Sequence, residues 1–151
     1  MGTSPAYTDE DLYVPERAKN NSATASLRAP WNERLTPFHE RLLSFTKLPR
    51  NWDSYGGKTT SLEAVEFVEK LVGQLGALFQ LPELHPLPSG GIQVEWCSPQ
   101  AEVLIEYRAP GKVSLLIESP AGVELEILDT TLTRLLQENS LSLARSIPRA
   151  L

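Results

Sequence analysis

An α+β fold, a four-stranded antiparallel β-meander with helices packed on one face, is what the sequence predicts. Three observations lead to it. Between Ile92 and Leu128 apolar residues recur at every second position, the period of half-buried strands, and Pro and Gly cut that run at regular intervals. Between Thr36 and Phe79 the apolar spacing changes to three and four, the period of amphipathic helices. The length of 151 residues accommodates one domain of this kind.

Residues 1–30 have no apolar period, and Asn20, Asn21, Ser22, Thr24 and Ser26 form a polar tract that cannot offset its ordering entropy by burial. A disordered tail is expected there, with residues 31–151 as the folded domain. Tyr7, Leu12, Tyr13 and Val14 are the residues of that tail suited to ordering on a partner. The first helix is expected to start at Thr36, with Pro37 at its first position, and to bury Phe38, Leu42 and Phe45 before Leu48-Pro49 stops it. A second helix follows the capping sequence Thr60-Ser61-Leu62-Glu63, with Val65, Val68, Val72, Leu75 and Phe79 as its buried stripe.

Four strands are expected at Ile92–Cys97, 102–108, 113–118 and 123–128. Their separators, Ser98-Pro99, Ala109-Pro110-Gly111 and Ser119-Pro120-Ala121-Gly122, have hairpin chemistry. Because residues directly opposite share a face, loop length sets the register: Trp96 falls opposite Val103, Tyr107 opposite Val113 and Ile117 opposite Val123. The inner face then holds Ile92, Val94, Trp96, Val103, Ile105, Tyr107, Val113, Leu115, Ile117, Val123, Leu125 and Ile127. A last helix is expected near Asp129, with Leu132, Leu135 and Leu136 on its apolar side.

Charge narrows the function classes. A net charge of −5 leaves no basic surface to neutralise duplex nucleic acid. Cys97 is the one cysteine, which excludes an internal disulfide framework. No run approaches the roughly 18 apolar residues of a membrane helix, and no basic-then-apolar leader opens the chain, so a cytoplasmic protein is expected. Residues 90–128 are the acidic segment, with six glutamates against Arg108 and Lys112.

Those glutamates fall on the outer face. Leu104 and Leu116 come out opposite each other on the central strands, with Glu95 and Glu124 flanking them and Glu106 and Glu126 nearby. An apolar centre rimmed by carboxylates suits a basic protein partner, or a second copy of the chain burying the leucines. Glu102 and Glu118 also face each other, a like-charge pair that something cationic would relieve. Glu95 and Glu106 offer a different chemistry, oxygen ligands for Mg²⁺ in phosphodiester hydrolysis. Of the two histidines, His39 is assigned to the first helix and His85 to the proline-rich linker Leu81-Pro-Glu-Leu-His-Pro-Leu-Pro88, neither with a neighbour at ligand spacing.

The segment Leu48-Pro-Arg-Asn-Trp-Asp-Ser-Tyr-Gly-Gly57 is a loop by its Asn, Asp, Ser and Gly content. Trp52 and Tyr55 are large enough to pin it to the core, and Asp53 with Tyr55 would make a polar recognition tip. Asn51-Trp52-Asp53-Ser54-Tyr55-Gly56, followed by Gly90-Gly91-Ile92-Gln93-Val94-Glu95-Trp96, resembles a widespread set of small bacterial and phage proteins, mostly uncharacterised. These pair an NWDxYGA-like loop with a GGIxxEW-like first strand. The resemblance spans roughly residues 42–118, with Gly57 standing where the pattern has alanine. It implies that the Trp52 loop and the Gly90-Gly91 strand start form one joint feature, and it implies no activity.

The chain carries no phosphate-binding loop, dinucleotide fingerprint or nucleophile elbow. The expected function is therefore a non-enzymatic interaction module without cofactor, of the immunity, antitoxin-like or inhibitor kind. Its contact residues would be Glu95, Leu104, Glu106, Leu116, Glu124 and Glu126 on the sheet, with Trp52, Asp53 and Tyr55 on the loop. A metal-dependent phosphodiester hydrolase using Glu95 and Glu106 is the alternative.

Overall fold

The computed structural model describes residues 30–150. The expected tail and its Tyr7, Leu12, Tyr13 and Val14 lie outside them. The chain divides after Glu40, and Arg41–Ala150 forms one compact unit. The architecture is α+β, with helices α1 (Trp31–Ser44), α2 (Leu62–Leu75) and α3 (Leu132–Ser146) and an antiparallel sheet. That sheet has five strands rather than four, in sequential order: β1 (Glu83–Pro86), β2 (Ile92–Cys97), β3 (Glu102–Tyr107), β4 (Val113–Ser119) and β5 (Gly122–Thr130).

Helix α1 starts at Trp31, earlier than the expected Thr36, and runs through Pro37. Its first turn is closed by the Arg34 amide donating to the Pro30 carbonyl and by the Arg34 guanidinium lying 4.8 Å over the Trp31 ring. Thr36 is already helical, and its hydroxyl donates back to the Asn32 carbonyl instead of capping. A 3₁₀ turn, Phe45–Lys47, ends the helix before Leu48-Pro49.

Helix α2 begins as its capping sequence demands, with the cap shifted by one residue. The Ser61 side chain accepts from the Ala64 amide, a bond worth about 1 kcal/mol. Thr60 is buried beside it with its hydroxyl unpaired. The helix stops at Gly76, whose φ of 87° lies in the left-handed region, so Phe79 falls beyond it. Ala64, Val65, Phe67, Val68, Leu71 and Val72 are its buried residues.

The first two hairpins have the expected register, Trp96 opposite Val103 and Tyr107 opposite Val113. In the third, a two-residue turn sets Ser119 opposite Gly122, and Glu118, not Ile117, faces Val123. The Ser119 hydroxyl accepts from the Ala121 amide within this turn. Glu124 is then the extra residue of a β-bulge, which restores Leu125 opposite Ile117 and Ile127 opposite Leu115. Val123 consequently shares the outer face and is 59% exposed. A second irregularity places Leu128 and Asp129 against Ser114, with Asp129 at φ 54°.

The inner face is the core. Ile92, Val94, Val103, Ile105 and Leu115 are fully buried, and the Phe67 ring of α2 lies 4.9 Å from that of Tyr107. Helix α3 is capped by Thr131, whose side chain accepts from the Arg134 amide; Asp129 stays in β5. It buries Leu135 and Leu143 and is kinked at Asn139. The residues after it dock, with the Gln80 amide donating to Pro148 and the Ala150 amide to Leu78. The Trp96 indole donates to the Gln80 carbonyl at 2.8 Å, tying this segment to β2.

No helix among the described residues is long and apolar enough to cross a membrane.

Candidate functional site

Strand alternation aims the outer-face residues away from the core. One row crosses all five strands in register: Glu83, Glu95, Leu104, Leu116 and Glu126. Leu104 and Leu116 are directly opposed and half-buried, Glu95 flanks them on one side and Glu126 on the other. The expected flank at Glu124 is corrected to Glu126, because the two-residue turn and the bulge after it each shift β5 by one residue. The exposed side chains of Val123 and Leu128 extend the apolar part of this face along β5.

Glu106 does not join Glu95. It faces Gln93 and Ser114, and its carboxylate receives the Arg108 guanidinium at 3.3 Å, while Arg108 also lies 3.7 Å from Asp129. A cation shared by Glu95 and Glu106 would have to compete with this Arg108 contact. Glu102 and Glu118 are opposed as expected. They border a depression of about 270 Å³ with Ser98, Pro99 and Pro120. That volume lies below the roughly 300 Å³ at which small-molecule pockets begin.

Glu95 instead gathers neighbours from β1, the strand hidden in the proline-rich segment. Glu83 sits opposite Glu95, and His85 lies two residues along on the same face. The His85 Nε2 atom is 3.7 Å from Glu83 Oε1 and 3.6 Å from Glu95 Oε1. The expectation that His85 has no neighbour at ligand spacing is thus overturned. Sequence spacing cannot show a partner that a separate strand supplies. The signal was the alternation Glu83-Leu84-His85, with Leu84 inward, and prolines are tolerated on an edge strand.

On the other side of Glu95, the Cys97 thiol donates to Oε2 at 3.5 Å. Burial, the bond to Glu95 and the charges of Glu95, Glu102 and Glu83 all push that thiol's pKa up. A raised pKa favours the neutral thiol over the reactive thiolate.

The loop residues divide. Trp52 donates its indole N–H to the Lys58 carbonyl at 2.8 Å. The carboxylate of Asp53 accepts from the backbone of Tyr55 at 2.9 Å and of Gly57 at 2.8 Å. Asn51 Oδ1 accepts from Gly56, with Asn51 and Ser54 both at positive φ. These bonds use the Trp52 indole N–H and the Asp53 Oδ1 atom to hold the loop. Tyr55 is left 91% exposed at its tip. A Cβ at Gly57 would meet Asp53 Oδ1 at 2.7 Å and the Trp52 indole nitrogen at 2.9 Å, so any larger residue there must displace these side chains. The residues after the loop bind the start of β2, with the Lys58 amide donating to Pro88 and the Ser61 amide to Gly90.

The Tyr55 bond, then that of Gly57, lowers the Asp53 pKa below its ordinary value of 3.8. A depressed carboxyl pKa contributes stability that is complete above the unfolded value and is lost as the pH falls through the folded one. The Tyr55 and Gly57 amide resonances are accordingly expected to titrate together with a midpoint below 3.8, and the transition should vanish in Asp53→Asn. A midpoint at or above the ordinary value would show that these bonds do not favour the carboxylate.

No protein-family model matches the chain, and neither a curated protein nor a solved structure does.

Proposed function

We propose that the chain is a non-enzymatic interaction module that docks the outer face of its sheet on a basic protein partner, as an immunity, antitoxin-like or inhibitor protein of bacterial or phage origin would. One observation carries this reading. The in-register row Glu83-Glu95-Leu104-Leu116-Glu126 places an apolar pair at the centre of an antiparallel sheet, with carboxylates on both sides. The apolar centre supplies buried area, and the carboxylates select a cationic rim and speed encounter. Arg108 is the counter-charge built into this face, and it is spent on Glu106 and Asp129. Glu83, Glu95 and Glu126 of the row lie outside that pairing and can attract a partner's lysines and arginines, with His85 beside the first two.

The test is charge reversal. A partner captured from bacterial extract, identified by mass spectrometry and purified, should bind wild type with an affinity that falls as salt rises. Glu95→Lys with Glu126→Lys should abolish that binding while leaving the circular dichroism spectrum unchanged. Undiminished binding by the doubly reversed variant would reject the face as the contact. A wild-type dimer that Leu104→Glu converts to monomer would instead make a second copy the occupant.

A further inference from the structure

We infer that Glu83, His85 and Glu95 form a binding site for one divalent transition ion of the Zn²⁺ type, clipping edge strand β1 to β2. The three side chains each present one donor atom, and those atoms lie within 4.8 Å of one another. Ligands about 2.0–2.2 Å from a tetrahedral zinc are about 3.3–3.5 Å apart. The imidazole nitrogen stands 3.7 Å and 3.6 Å from the two carboxylates. These two separations are longer than a hydrogen bond and within a few tenths of an ångström of those a tetrahedral ion sets, with the two carboxylates within 4.8 Å of each other.

The scaffold holds the donors in place. Leu84, 2% exposed, pairs with the fully buried Val94, which turns Glu83 and His85 outward together. The Leu84 carbonyl receives the Arg41 guanidinium at 3.0 Å. The donor set also selects the ion: imidazole nitrogen with two carboxylate oxygens suits zinc and its neighbours, whereas Mg²⁺ and Ca²⁺ prefer oxygen alone. A second group, Glu95, Cys97 and Glu102, shares Glu95. That group offers no imidazole, and its Cys97 and Glu102 are both exposed, whereas His85 and Glu95 are only partly so.

This site shares Glu83 and Glu95 with the docking row but does not rest on the docking reading, since it is read with metal alone on the purified chain. Calorimetric titration with ZnCl₂ should give one equivalent bound. Affinity should drop at least roughly tenfold in both His85→Ala and Glu83→Gln and stay unchanged in Cys97→Ser. His85 and Glu83 side chains are 46% and 78% exposed, so both variants should keep the wild-type melting temperature without metal. Co²⁺ in place of Zn²⁺ should give visible d–d bands without a near-ultraviolet thiolate band. No binding, binding that survives His85→Ala, or a thiolate band would each overturn the assignment.

Discussion

Gly91→Ala is expected to destabilise the chain by about 3 kcal/mol or more, near the upper end for a single substitution. A Cβ at this position would lie 1.8 Å from the Tyr107 carbonyl oxygen, 2.8 Å from its carbon and 2.9 Å from the Arg108 Cα. These are backbone atoms at the end of β3, and no rotamer change removes them. Ile92, the next residue, pairs with Tyr107, so relief requires opening the β2–β3 ladder at its end. Both residues of that pair are buried, and Tyr107 is the one stacked with Phe67 of α2. Urea denaturation checks the loss. Gly73→Ala is the control, because no atom lies within 4 Å of its added methyl group. In the interior of α2 that change should stabilise by about 0.5–1 kcal/mol. Equal losses at both positions would remove the backbone collision as the cause.

Replacing the central leucine pair, Leu104→Thr with Leu116→Thr, is expected to weaken partner binding by roughly 100-fold, the effect of deleting the desolvated centre of an interface. The fold should tolerate it. Both leucines are half-buried on the outer face, and threonine brings the β-branched shape that strands favour. Ile105 is adjacent to Leu104 but faces the core with 0% exposure, so Ile105→Thr should lower the melting temperature sharply. Surface plasmon resonance with the purified partner, beside thermal melts, separates the two effects. Retained affinity in the double variant would mean that the apolar pair is not the centre of the contact.

These two expectations draw on different information. The neighbours of Leu104 and Leu116 were legible in the sequence, because side chains on a strand alternate between faces and hairpin loop lengths set which residues oppose. The same logic placed Trp96 opposite Val103 and Glu102 opposite Glu118. It failed at Val123, where parity predicts burial and a two-residue turn followed by a bulge delivers exposure. An inserted residue at Glu124 leaves no mark in the alternation, since Val-Glu-Leu-Glu-Ile reads identically with or without it. The start of α1 was misplaced for a related reason. Pro37 is a strong local signal for a helix start, yet the helix passes through it with a first turn closed by Arg34 and Pro30.

The candidate site was legible only in part. In the sequence Glu95 reads as an interface carboxylate or a Mg²⁺ ligand, and Asp53 and Trp52 as members of a loop with either a structural or a recognition role. What surrounds Glu95 comes from a strand that the three prolines Pro82, Pro86 and Pro88 would otherwise argue against.

By itself the sequence determined the α+β class, the division of Ile92–Cys97 and its neighbouring strands into apolar and carboxylate faces, and the glycine-rich loop. Each of these follows from backbone geometry repeating over a few residues. Only the tertiary structure decided that β1 pairs with β2, that Glu126 rather than Glu124 flanks the leucines, and that His85 meets Glu83 and Glu95. Such meetings depend on which edge a distant segment occupies and where a ladder slips by one residue. Pairing energies summed across the sheet set both, beyond the reach of any local period.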